Sequence, residues 1–506
     1  MSDNRYYISS FTWTTIAKIL NAVVGFFSVP ILIGIYGKSD YGILGLAMAC
    51  NSYMHLLDLG MNTGAVRFYS LWKTEGKFDT IRKVSHSNIS FYCLIAAINA
   101  AVLCSIAIWG EGLFSINHSQ FLTLRSCLFI LAAFSLFNWS TTAFSQLLVA
   151  DRQMAFTMKM QAAQALLKAL LIVLVMATNM PITVYFLILT AILAGLIIPY
   201  SIKSKRDGLI DNFKLEWHWQ EFKPVLAFSL SIFALSLFQI TATESRPIVL
   251  GICGNDGADI IADFKVLSVV PTLIITIGSS FSAIFLPRSA EMYQQKDVDT
   301  IRRFSYKWTG YTTIIANVLC FPFILCAGEV LTAYVGEEYA RLAPWLILWC
   351  ITALIQIHTT PGNSLVIASG KTGQLVLTTA LSCIVSIIIN CLLCKKLGAG
   401  SAVTGYFFYV VIVIGLYYLY YYKKLFQLNR LTMFLKFLTP TILATVFIIP
   451  VRLAGISTDW FGSMDIRLAC IIVCIIKTML WFIPYFGSLF LFRILTKDDI
   501  REFSGK

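Results

Sequence analysis

The sequence predicts an all-α integral membrane protein of about fourteen transmembrane helices, built as two parallel six-helix repeats that form a V-shaped bundle of N-lobe and C-lobe, with two extra C-terminal helices. Three observations carry that expectation. Hydrophobic residues make up 58% of the 506 and charged residues only 13%, against about 45–50% and about a quarter in soluble globular chains. Apolar runs of about 20 residues, enough for a helix to cross the hydrocarbon layer, recur along the whole chain without the period-2 alternation of barrel strands. Short phrases also return in the same order about 220 residues later, the mark of an internal duplication.

From the N-terminus, Met1 to Tyr7 is polar and the apolar run 8–35 is too long for the h-region of a cleaved signal, so it reads as a retained first span. Five more lie near 41–66, 88–109, 121–148, 159–178 and 183–202. The stretch "GLIDNFKLEWHWQEFK" (208–223) is amphipathic, with Trp217 and Trp219 among charges, and is expected to lie along the cytoplasmic interface as a linker. A second set follows near 225–252, 259–286, 308–327, 342–361, 374–394 and 401–421, and two further spans near 432–450 and 467–492. The expected divisions are therefore 1–207 for the N-terminal lobe, 208–223 for the linker, 224–422 for the C-terminal lobe, and 423–506 for two additional helices and a cytoplasmic tail.

The repeated phrases fix the orientation of the two sets. "GIYGKSDYG" from Gly34 echoes in "GICGNDGAD" from Gly251, "FDTIRKV" from Phe78 in "VDTIRRF" from Val298, and "LLVADRQMA" from Leu147 in "LVIASGKTG" from Leu365. Six spans separate the members of each pair, an even number, so both copies cross the membrane in the same sense. The two "DTIR" islands are read as cytoplasmic loops after spans 2 and 8. Under that topology, with Lys159 and Lys436 assigned to the cytoplasmic ends of their spans and Arg467 to the outer end of its own, 27 of the 39 Lys and Arg fall on the cytoplasmic side, six on the opposite side and six inside spans. The positive-inside rule then places both termini in the cytoplasm. The net charge of +13 follows from the same bias and calls for no nucleic acid.

Enzymatic signatures are absent. "ASGKTG" at 368–373 lacks the first glycine of a phosphate loop, because Leu365 stands there, and reads as a tight turn. No loop exceeds about 20 residues, which leaves no room for a soluble catalytic domain. Cys391 and Cys394 have CxxC spacing but neither a second pair nor a nearby His, and the thirteen cysteines read as small apolar residues. The chain is expected to be no enzyme and to hold no cofactor or metal.

What remains is a set of ionisable groups inside spans: Lys18, Arg125, Lys168, Arg246, Lys265 and Lys477, with the acids Asp58, Glu244 and Asp263. Each basic group near a helix centre is unfavourable by about 2.5–3.5 kcal/mol, so such groups face a cavity or a partner. Lys18, Lys168 and Lys477 fall near mid-span, and Arg125 is close enough to the outer end of span 4 to snorkel. Asp58, in "LLDLGMNTGAVRF", lies toward the cytoplasmic end of span 2, which Arg67 closes. In "TATESRPIVLG" Pro247 removes a helix hydrogen bond, so the helix is expected to kink or loosen near Thr243 to Arg246. Glu244 and Arg246 point about 200° apart on an ideal helix, and loosening would bring both to one cavity. The alternative is that each pairs separately with another helix.

Two six-helix sets, two extra helices, "YGKSDYGILGLA" opening span 2 and "LDLGMNTGAVRF" closing it together resemble the Wzx-type polysaccharide (O-antigen repeat-unit) flippases of the multidrug/oligosaccharidyl-lipid/polysaccharide (MOP) exporter superfamily. The resemblance implies movement of undecaprenyl-diphosphate-linked oligosaccharide repeat units, for O-antigen, lipopolysaccharide or a related surface polysaccharide, across a bacterial inner membrane by cation-coupled alternating access. It implies a cationic cavity, for which Lys18, Lys168, Arg246 and Lys265 are the residues of matching type. Glu244 and Asp58 are the coupling candidates, for H⁺ or Na⁺, and Arg67 the candidate for the cytoplasmic entrance. Expected partners are the lipid-linked oligosaccharide, membrane lipids and polysaccharide polymerase or assembly proteins. Two other readings stay open: a drug or cation antiporter of the same superfamily, which would favour an acidic cavity, and a membrane glycosyl polymerase or ligase, which would need a large outer loop.

Overall fold

A backbone in hydrocarbon must satisfy its own hydrogen bonds, and each of the fourteen expected segments is helical. The structure, a computed structural model, describes residues 3–210, 214–295, 298–462 and 464–495. Among these, twelve helices are long and apolar enough to cross a membrane, and there is no strand. The two expected spans outside that set, 41–66 and 225–252, are the ones that hold Asp58 and the Glu244–Arg246 pair. The end of the C-terminal tail, where a cytoplasmic terminus is expected, lies outside the described residues. Contacts divide the chain into two units, Met1–Lys265 with Cys394–Gly398, and Val266–Leu393 with Ala399–Lys506.

In the first unit α1 (Asp3–Tyr36) turns through Gly37, φ 83°, into α2 (Lys38–Tyr53). The chain then tightens to a 3₁₀ turn at Met54–Asp58, reverses handedness at Leu59 and Gly60, and resumes as α3 (Met61–Thr74). The expected second span is therefore two helices with a break at Asp58. α4 (Phe78–Trp109), α5 (His118–Ala150), α6 (Met154–Thr178), α7 (Ile182–Ala194), α8 (Ile197–Arg206) and α9 (Trp219–Cys253) follow, and α10 (Gly257–Gln295) begins in this unit. Between α8 and α9, residues 214–218 are irregular and dock on α4: the His218 amide donates to Ser87 Oγ at 2.7 Å, and Ser90 Oγ donates to the Glu216 carbonyl at 3.2 Å. Residues 211–213 of the expected linker lie outside the described residues.

α1 and α6 run side by side and parallel. Lys159 Nζ sits 5.1 Å from the Trp13 ring, Lys168 Nζ donates to Asn21 Oδ1 at 3.3 Å, and the Tyr36 hydroxyl donates to the Met180 carbonyl at 2.9 Å. The nearly constant sequence offset between partners is possible only for a parallel pair, as two odd-numbered spans must be. α3 approaches α9 closely: a Cβ on Gly60 would lie 2.5 Å from the Ser229 carbonyl oxygen, and one on Gly64 2.0 Å from Ser229 Oγ. This small-xxx-small spacing brings backbones together without a hydrophobic driving force, as lipid requires. The outward faces stay apolar. On α6, Leu166, Leu167, Leu170, Val173 and Leu174 are all exposed, a strip that water would not tolerate and lipid covers.

The second unit continues α10 and adds α11 (Val298–Leu325), α12 (Ala327–Val335), α13 (Ala343–His358), α14 (Thr360–Ser369), α15 (Gly373–Leu397) and α16 (Ala399–Leu416). A π-helical stretch at Tyr417–Leu425 leads to α17 (Arg430–Val446), α18 (Ile448–Leu453) and α19 (Ile466–Leu491). Its core stacks Phe321 on Trp481 and Trp481 on Tyr485, with ring centroids 5.5 and 4.8 Å apart. Lys477 forms an ion pair with Glu329, joining α19 to α12.

The repeated phrases fall on like structures, with one correction. The "DTIR" islands, expected as loops, are the first turns of α4 and α11. Asp79 and Asp299 occupy those turns, where the helix dipole favours an acid. Arg82 and Arg302 reach back three residues to them at 3.9 and 3.3 Å. A carboxylate at the start and a base one turn later favour helix, and the polar face needs no loop to reach water. The third pair marks left-handed turns at corresponding positions, Arg152 at φ 59° and Gly370 at φ 67°. The phosphate-loop lookalike is thus the turn between α14 and α15.

Candidate functional site

Every residue singled out for transport belongs to the first unit, and the structure sorts these residues into three groups. The first surrounds Pro247. Of the kink or loosening expected there, the structure shows no unwinding: α9 runs from Trp219 to Cys253 through the proline. Pro247 has no N–H for the carbonyl of Thr243, four residues earlier. Arg246 supplies the missing donor, its Nε–H donating to the Thr243 oxygen at 3.2 Å. The guanidinium carbon lies 5.7 Å from the Phe264 ring centroid, and the residue is only 8% exposed. A buried arginine thus caps the gap in its own helix and so fixes its charge in place.

Lys265 joins this group from α10. Glu244 and Arg246 are both near enough to act on it electrostatically. Its stem passes over Gly45 of α2, where a Cβ would meet Lys265 Cγ and Cε at 3.1 Å. Two residues earlier on α10, Asp263 Oδ1 pairs with Lys38 Nζ at 3.0 Å, and Asp259 stands 3.8 Å from the same ammonium. Asp263, an intramembrane acid in the sequence, is thereby a structural partner of the base that opens α2. The group thus gathers two bases, Arg246 and Lys265, and one acid, Glu244.

The second group is Lys168 and Lys18 on the α1–α6 pair. Lys168 is half-buried and held by Asn21, whose own amide donates to the Ala17 carbonyl at 2.9 Å. Lys18 is exposed, one turn before Asn21.

The third group forms around Asp58. Asp58 Oδ1 accepts from the Tyr92 hydroxyl at 2.5 Å, and Oδ2 accepts from the Asn62 amide at 3.2 Å across the helix break. Gln146 Nε2 donates to the Tyr92 oxygen at 2.6 Å, and Asn88 Nδ2 donates to Gln146 Oε1 at 2.8 Å. Trp139 stacks on Tyr92 at 5.9 Å, with His55 5.4 Å from Trp139. Tyr92, Gln146 and Asn88 are buried, so this chain ties the break to α4 and α5 in a dry setting where an unmet polar group is expensive. Sequence reasoning found Asp58 and missed its three partners. The available signal was Asn88 and Gln146 at the ends of otherwise apolar runs. Arg67 lies outside the network: it is exposed, and its guanidinium carbon stands 4.1 Å from the Phe228 ring centroid.

Chemically, the first group gathers two basic side chains and one acid in an apolar surround, and the third a carboxylate with an organised hydrogen-bond shell. Among the described residues no cluster of His, Cys, Asp and Glu has the makings of a metal site.

No protein-family model matches the chain. The uncharacterized membrane protein EpsK of Bacillus subtilis (strain 168) is 22% identical over 358 residues, covering 67% of each chain. Among solved structures, the lipid II flippase MurJ in an inward closed conformation is similar with a TM-score of 0.69 at 13% identity, over 94% of this chain and 99% of that one. An inward-facing MATE family multidrug resistance transporter of the MOP superfamily is similar with a TM-score of 0.64 at 13% identity, over 79% and 96%. At such identities the likeness establishes the fold: the chain is a multi-pass membrane protein with the fold of the MOP-superfamily flippases and transporters.

Proposed function

We propose that the chain is a flippase that moves an undecaprenyl-diphosphate-linked oligosaccharide repeat unit across the bacterial cytoplasmic membrane. The observation that carries this reading is that Arg246 of α9 and Lys265 of α10, two basic residues in apolar helices of the first unit, lie within electrostatic reach of each other and of one acid, Glu244. A diphosphate is the part of such a substrate that hydrocarbon opposes most, and fixed guanidinium and ammonium groups replace its water through charge-assisted hydrogen bonds. Lys168 and Lys18 extend the basic character along α1 and α6. The lipid tail needs no polar path, so only the head has to cross. That one relative of the same fold is a lipid II flippase supports the substrate class.

In this reading Glu244 and Asp58 carry the coupling cation. Glu244 lies within electrostatic reach of Lys265, and a proton held there in one state of the cavity and released in the other would link transport to the gradient. The same fold also serves multidrug transporters, and a drug or cation exporter is the second reading. Proteoliposomes loaded with synthetic lipid-linked oligosaccharide decide between them. Movement of the oligosaccharide headgroup to the opposite leaflet supports the flippase, whereas gradient-driven uptake of a cationic dye without headgroup movement supports the exporter.

A further inference from the structure

A cavity of about 890 Å³ opens in the second unit between the first half of α11, α17 and the end of α19. Its chemistry is one-sided. Arg303, Lys307, Lys436 and Arg493 line it, and among the described residues no carboxylate does. Asp299, the acid nearest in sequence, is engaged by Arg302 at 3.3 Å. Lys307 Nζ lies 5.8 Å from the Tyr311 ring centroid. The Tyr306 hydroxyl accepts from the Asn429 amide at 2.8 Å and so ties the start of α17 to α11. The Lys436 stem passes over Gly310, its Cδ 3.9 Å from where a Cβ would stand.

Arg493 is the unusual member. The Ile494 amide donates to the Leu489 carbonyl at 2.9 Å and the Arg493 amide to Phe490 at 3.1 Å, the bonding of a Schellman turn, whose left-handed position is normally glycine. Here it is arginine at φ 54°, a conformation any Cβ disfavours. The helix end thus keeps a charged side chain at the cavity in place of the residue its backbone would prefer, the pattern of local strain retained at binding positions.

The start of α11, the start of α17 and the end of α19 all lie on the side that the Lys and Arg distribution assigns to the cytoplasm. At that depth a bilayer presents phosphate, and basic juxtamembrane groups attract anionic headgroups. The remaining wall sets Leu435, Pro440, Phe492 and Ile494 beside the hydroxyls of Thr432 and Thr439, a mixed surface that suits the glycerol and upper acyl chain of a lipid, whereas a free anion would use only the basic groups. We propose that this cavity binds the headgroup of an anionic glycerophospholipid of the surrounding leaflet, with its phosphate among Arg303, Lys436 and Arg493 and its glycerol against Tyr306 and Tyr311. None of these residues belongs to the cationic cluster of the first unit, so this proposal stands or falls separately from the flippase reading.

The full chain in detergent, titrated with phosphatidylglycerol and read by native mass spectrometry, tests it. Loss of each positive charge should weaken binding about five-fold, so Arg493→Gly should lose about five-fold and the double variant Arg303→Gln, Lys436→Gln about 25-fold. Arg493→Gly should keep its thermal midpoint, because glycine suits the turn; the double variant, altered only at exposed positions, tests the site independently of that turn. Equal affinities for variants and parent would overturn the proposal, as would equal binding of phosphatidylcholine. Full displacement by millimolar inorganic phosphate would reassign the cavity to a free anion. Displacement by undecaprenyl diphosphate at far lower concentration than by phosphatidylglycerol would reassign it to a polyprenyl carrier.

Discussion

Arg246 and Pro247 should behave as one unit in stability. Arg246→Met keeps the stem's bulk but removes the donor to the Thr243 carbonyl at 3.2 Å and the charge beside Phe264. A charge-assisted hydrogen bond contributes about 1.5–3 kcal/mol and a cation–π contact at this range about 0.5–1 kcal/mol, so the single variant should lose about 2–4 kcal/mol. Pro247→Ala returns an N–H to the helix, and that N–H would bond the same Thr243 oxygen. With the carbonyl already satisfied, Arg246→Met should cost about 1 kcal/mol less in the Pro247→Ala background, a coupling of the size found for groups sharing a partner. Denaturant unfolding of the four purified proteins in one detergent measures it. Additivity within about 0.3 kcal/mol would show that Arg246 does not stand in for the missing amide.

Further expectations follow from single contacts. Tyr92→Phe removes the hydroxyl between half-buried Asp58 and buried Gln146 and leaves both short of a partner, so it should destabilise by about 1–3 kcal/mol in the same unfolding assay. Gly64→Ala sets a Cβ 2.0 Å from Ser229 Oγ and should cost about 1–3 kcal/mol, partly recovered by adding Ser229→Ala, as differential scanning would show. Lys477→Glu should sharply lower the thermal midpoint, and adding Glu329→Lys should restore most of it by re-forming the pair in reverse. Glu244→Gln keeps shape but cannot titrate, so proteoliposome transport should continue while its dependence on the proton gradient disappears; unchanged pH dependence would remove Glu244 from the coupling role.

The helical, multi-span character was legible because it rests on run length and charge placement, which are local properties. The duplication was legible for the same reason, since "DTIR" and the Arg152 and Gly370 turns are short phrases. The break after Asp58 was not, because "LLDLG" reads as helix until Gly60 and Gly64 are seen seated on Ser229, a contact from about 170 residues away. Pro247 showed the limit of a sound local rule: the proline does remove a hydrogen bond, but the neighbouring side chain replaces it, and a rotamer is invisible in sequence. The Asp58 partners were missed because Asn88, Tyr92 and Gln146 lie on two other helices, and each alone is an ordinary polar residue near a span end. The DTIR islands were read as loops because charge was equated with irregular chain, when a first helical turn outside the hydrocarbon is equally at home in water.

The central claim is that the cations of the first unit carry a lipid-linked diphosphate across the membrane. Its most direct test is the rate at which a lectin or oxidant gains access to synthetic undecaprenyl-diphosphate-linked oligosaccharide in proteoliposomes, comparing the parent chain with the double variant Arg246→Gln, Lys265→Gln at matched amounts of folded protein. The parent should move the headgroup and the variant should lose at least ten-fold in rate while still folding. Equal rates in the two, or no movement above protein-free liposomes, would contradict the claim.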